Sequence, residues 1–187
     1  MSPPADFEGV SLEEKFFAER NRQLLKELRK KQEHAERRGA LRNALSINDD
    51  AVLDHLLGLG IGPETALALT LVPLIAVAWA DQRMEAPERK AIVQAAEESG
   101  IKSGTPAHQM LETWLARPIP DDVVAAWRRV VVSLWPQLDD NERAQLRART
   151  VGQARKVAEA AGGILALTSK ISNAEKRVLD DLGAALA

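Results

Sequence analysis

A chain of 187 residues with 45% apolar side chains is long enough for one domain with a sizeable core, and no more than a domain and an appendage. Helix formers dominate, Tyr and Cys are absent, and the composition points to an all-α protein. The missing cysteine excludes disulfides, thiolate metal sites and cysteine nucleophiles. Net charge is only −2 but unevenly placed: between Arg20 and Arg42 nine Lys or Arg stand against three Glu, a basic arm of +6 on a remainder of −8.

Residues 1–10, MSPPADFEGV, carry Pro3 and Pro4 and are expected to be disordered. They show no charged-then-apolar signal, so a cytoplasmic location is expected. Ser11-Leu-Glu-Glu14 reads as a capping box, the Ser11 hydroxyl accepting from the Glu14 amide. It opens a helix from Leu12 to about Arg42, within a helical arm at 11–45. Phe17, Leu24, Leu28 and Ala35 form a narrow apolar stripe, with Phe16 and Leu25 beside it. Such a stripe suits docking on the body or on a partner, or pairing with a second copy. The basic residues of the arm, Arg22, Lys26, Arg29, Lys30, Arg37 and Arg38, offer a competing use: contact with nucleic acid or an anionic membrane surface. No aromatic residues interleave with them for base stacking, and docking or self-association is the preferred reading.

Ser46-Ile-Asn-Asp-Asp50 supplies caps for a short helix through Val52, Leu53, Leu56 and Leu57, stopped by Gly58 and Gly60. Gly62-Pro63-Glu64 is predicted to open the next helix, with proline in its first turn. A break is predicted at Leu71–Val72, because Pro73 cannot sit in a helix interior, and a second segment runs to about Trp79. The apolar run from Ala66 to Ala80 is about 15 residues, short of the roughly 20 a membrane span needs, and reads as the central core.

An amphipathic helix over 86–99 buries Ile92, Val93 and Ala96 and ends at Gly100-Ile101 in the manner of a glycine cap. Thr105-Pro106 opens a helix bearing Met110, Leu111, Trp114 and Leu115. Asp121 or Asp122 caps another through Trp127, Val130, Val131 and Leu134. Asp139-Asp-Asn-Glu142 is a capping box for a helix to about Ala161, and short helices at roughly 164–169 and 173–186 close the chain. All four tryptophans, Trp79 included, fall on apolar faces and are assigned to core packing. The domain so defined spans 46–187.

Shifted by 87 residues, Val77–Ile92 lies over Ile164–Leu179: an apolar helix, a turn with one aliphatic, an acidic helix start, then two basic residues. This echo suggests two helix–turn–helix units packed with pseudo-symmetry. In the first unit Asp81, Glu85 and Glu88 offer carboxylates on a short loop, the donor set of a hard cation such as Ca²⁺ or Mg²⁺. The plainer reading is helix punctuation, since Ser172-Asn-Ala-Glu175 in the second unit is a good capping box. No serine or histidine has a catalytic neighbour visible in the sequence, and Gly162-Gly163 lacks the spacing and lysine of a phosphate loop, so an enzyme is the least supported class.

The stretch VPLIAVAWADQRMEAPERKAI resembles the signature of the TerB-like proteins, the tellurite-resistance family and its relatives, in which A-D-G-x-[IVM]-[DS]-x-x-E joins two helices of an all-α bundle. The resemblance covers residues 63–187 in outline and implies a cytoplasmic stress-response or interaction module. It further implies a divalent cation held through motif acids, by position Asp81, Glu85 and Glu88. Gln82 stands where the signature has glycine, and the second copy has Thr168 and Ser172 at two of the acid positions, keeping Glu175.

Overall fold

The computed structural model describes residues 12–161 and 171–187. The expectations for residues 1–10, the Ser11 box and the helix at 164–169 lie outside that range. The described residues form an all-α bundle without strands: α1 (Leu12–Leu45), α2 (Asp50–Gly58), α3 (Val72–Ala78), α4 (Ala86–Glu98), α5 (Pro106–Ala116), α6 (Asp121–Leu134), α7 (Asp140–Ala161) and α8 (Asn173–Ala185). Two 3₁₀ segments, Ala66–Leu71 and Trp135–Gln137, precede α3 and follow α6.

Local chemistry sets these limits. The Asp49 carboxylate accepts the Val52 amide at the start of α2. At its end Gly60 takes φ +78°, while the Ile61 and Gly60 amides return to the carbonyls of Leu56 and Leu57 at 2.9 and 3.0 Å. The end of α4 repeats the device: Gly100 has φ +85°, and the Ile101 and Gly100 amides return to Ala96 and Glu97 at 2.9 and 3.0 Å. Ile61 and Ile101 are both buried, completing the hydrophobic half of the motif.

The helix expected from Gly62-Pro63-Glu64 does not form. The Gly62 amide donates to the Thr65 hydroxyl at 2.9 Å, and that hydroxyl donates back to the Gly62 carbonyl, closing a turn on itself. Thr65 thereby competes with helix formation, and the chain proceeds as the 3₁₀ segment instead. The break at Leu71–Val72 is present, with Pro73 in the first turn of α3. At α6 the cap position belongs to Pro120, and Asp121 and Asp122 lie inside the first turn, where their negative charge is stabilised by the positive end of the helix dipole.

Helix α3 is the centre of the body. It packs on α7, α8, α6 and α4, and Leu74, Ile75 and Val77 are fully buried. Helix α7 lies across α3 and α4, covering them with Ala154, Val157 and Ala158. Truncating Leu74 or Ile75 to Ala would cost about 2–5 kcal/mol. Of the tryptophans, Trp114 and Trp127 are buried, whereas Trp79 and Trp135 are half-buried and held by polar contacts. The Trp79 indole donates to the Trp114 carbonyl at 3.0 Å, and the Arg143 guanidinium lies 5.7 Å from the Trp135 ring centre.

Candidate functional site: a projecting helix and a pair of buried glutamates

Among the described residues, helix α1 meets the body only towards its C-terminal end. Leu41 is fully buried there and Leu45 packs against the core. Around them three arginines grip acids of the body. Arg38 reaches Asp54 at 3.1 Å and Asp50 at 3.8 Å, Arg42 also bonds Asp50, and Arg37 bonds Glu64 at 2.9 Å. The Arg37–Glu64 pair lies against the bare face of Gly62, where a Cβ would stand 2.6 Å from the guanidinium. Two of the six basic residues proposed from sequence for polyanion contact, Arg37 and Arg38, thus serve as the foot of the arm.

Ahead of this foot, every residue from 14 to 36 is exposed, about 35 Å of helix. Phe17, Leu24 and Leu28 are 54%, 49% and 61% exposed, with Phe16 and Leu25 similar. The stripe does not dock on the described part of its own body. The rings of Phe16 and Phe17 meet edge to face at 5.9 Å. Arg22 pairs with Glu19 at 3.0 Å, while Lys26, Arg29 and Lys30 make no ion pair among the described residues.

The second feature lies where α4 and α8 begin. Glu88 is 2% exposed and Glu175 5%. Each returns to the amide three residues before it, Glu88 to Glu85 at 2.8 Å and Glu175 to Ser172 at 2.6 Å, and the Ser172 hydroxyl accepts the Glu175 amide at 3.1 Å. The two side chains also hydrogen-bond to each other, and the Glu88 carboxyl is raised to about 7. Burial is the main cause. The Glu85 amide opposes it, and the negative charges of Glu175 and Asp81 reinforce it. Burial thus favours the protonated form of Glu88 well above the ordinary carboxylate range.

Of the acids proposed as cation ligands, only Glu88 is buried. Asp81 is exposed and accepts the Arg83 amide at 2.9 Å, and Glu85 is exposed at the cap of α4. Among the described residues no three His, Asp or Glu side chains converge to hold a metal ion. The pairing of Glu88 with Glu175 was not foreseen, although the 87-residue echo had placed both at the same position of their units. Elsewhere a groove of about 360 Å³ runs between α6, α7 and the first 3₁₀ segment, lined by Leu67, Trp127, Leu134 and Leu146 with Arg149 at its edge. No described helix is long and apolar enough to cross a membrane. No family model, curated protein or solved structure matches the chain.

Proposed function

We propose that the protein is a non-enzymatic, TerB-like interaction module of the cytoplasm that works in stress response, with α1 as its docking element. One observation carries the interaction reading: five large apolar side chains stand about half exposed or more along a helix that leaves the body. Large apolar residues in one contiguous stripe mark an interaction surface far more often than do scattered ones. The foot of three arginines and Leu41 holds the helix at a set angle, so the stripe is presented rather than collapsed onto the core.

The test replaces Phe17, Leu24 and Leu28 together by Asp in the full chain and compares affinity purification after in-cell cross-linking. All three side chains are exposed, so the thermal midpoint should stay within about 2 °C of wild type. Chains or proteins retained by wild type should be lost by the variant. Equal retention by both would overturn the reading.

A further inference from the structure

The arrangement of residues on α1 identifies what covers it. Phe17, Leu24 and Lys31 fall at one seam position of a heptad repeat, Asn21, Leu28 and Ala35 at the other. Ala18 and Leu25 flank one side of this seam; Arg20 and Glu27 flank the other. Lys26, Arg29 and Lys30 point away from it. All of these residues are exposed, and neither Arg20 nor Glu27 makes an ion pair among the described residues.

We propose that α1 pairs with α1 of a second copy, antiparallel, with Phe17 of each chain against Leu28 of the other. The proposal rests on the interaction reading above and names its partner. In this register the layers are Phe17 on Leu28 and Asn21 on Leu24, each occurring twice by symmetry. Flanking the seam, Arg20 of each copy meets Glu27 of the other, and Leu25 covers Ala18. Every apolar residue of the seam from 17 to 28 is used, and both flanking charge pairs are opposite in sign.

The alternatives fail on charge and space. A parallel pair places Lys31 on Lys31 within the seam and aligns two basic arms side by side, with no opposite charges across it. Sliding the antiparallel pair by one heptad towards the body sets Glu27 against Glu27 and puts Lys31 on Asn21. It also drives the partner's first helical turn towards residue 40, where α2 and the first 3₁₀ segment pack on α1.

The natural chain has no cysteine, so single-cysteine variants give an unambiguous test. Full-length F17C and L28C are oxidised separately and as a mixture. The expected result is a disulfide-linked pair in the mixture and little from either alone, because identical positions stand about 16 Å apart along an antiparallel pair. Efficient linking of each variant with itself would overturn the antiparallel arrangement. Sedimentation of wild type should show twice the 20.4 kDa chain mass at high concentration. R20E or E27R alone should weaken the pair several-fold, and the double exchange should restore it. A double exchange as weak as the singles removes the Arg20–Glu27 contact and with it the register. A chain that stays monomeric, yet loses a retained partner when the stripe is substituted, overturns the second-copy proposal and leaves the interaction reading standing.

Discussion

Gln82 adopts φ +66° in the turn between α3 and α4, the left-handed region that favours glycine. The turn requires it: the Gln82 amide bonds back to the Trp79 carbonyl at 2.9 Å, and the next amide bonds to the Asp81 carboxylate. Gln82→Gly should therefore stabilise the fold by roughly 0.5–1 kcal/mol, a rise of about 1–4 °C in thermal midpoint. A fall would mean that the Gln82 side chain supplies more than the backbone conformation costs. Glu88 leads to a prediction in pH. Its folded value lies near 7 against 4.5 for the free group, so the folded chain binds more protons between these limits. Its protonated form thus favours folding fully below 4.5, and that contribution is lost as pH rises through 7. Wild type should be more stable at pH 5.5 than at pH 8 relative to Glu88→Gln, whose amide keeps the hydrogen bonds and does not titrate. Parallel stability profiles for the two would exclude this assignment. The carboxylate at 88 was legible as a capping residue from its spacing; its raised value was not, because it depends first on burial by tertiary packing and then on Glu175, which is 87 residues away.

Two glycines test the helices themselves. Gly100 ends α4 at φ +85° with open space around it, so Gly100→Ala should destabilise by about 1 kcal/mol through backbone conformation alone. Gly39 lies inside α1, where an added Cβ meets nothing within 4 Å, and Gly39→Ala should instead stabilise by roughly 0.5–1 kcal/mol. Chemical denaturation of both variants checks the opposite signs. If both destabilise, helix α1 at its foot is more tightly constrained than the arginine contacts imply. Ends of this kind were readable in sequence because they rest on contacts within six residues: Gly60-Ile61, Gly100-Ile101, Asp49, and the Asp139–Glu142 box, whose two bonds are both 2.8 Å. The turn at Gly62–Thr65 was misread because proline at a first-turn position looks the same in a helix and in a turn. The deciding bond belongs to the Thr65 hydroxyl, whose preference sequence does not fix.

On the scale of the whole molecule, charge and apolar pattern are largely separated around α1: the seam from 17 to 28 carries Phe17, Leu24 and Leu28 with Asn21, and Lys26, Arg29 and Lys30 face outward. The sequence showed both properties on one helix but could not show that the helix leaves the body, since a stripe that docks and one that projects have the same spacing. What decides it is the ring of ion pairs from Arg37, Arg38 and Arg42 to Glu64, Asp54 and Asp50, contacts that join α1 to the segments after it. This separation predicts how association responds to salt. Two exposed Arg20–Glu27 contacts are each worth about 0.2–1 kcal/mol and weaken with screening. Salt also relieves repulsion between the outward basic faces, so the two effects oppose each other. Between 50 and 200 mM salt the self-association constant should therefore change by no more than about tenfold, measured by sedimentation equilibrium. Binding to a polyanion through about six basic contacts would instead fall about 10³-fold over the same range. A basic arm seated on the acidic body of another copy would weaken steeply as well. A salt response of that size would show that charge, rather than the Phe17–Leu24–Leu28 stripe, holds the assembly together.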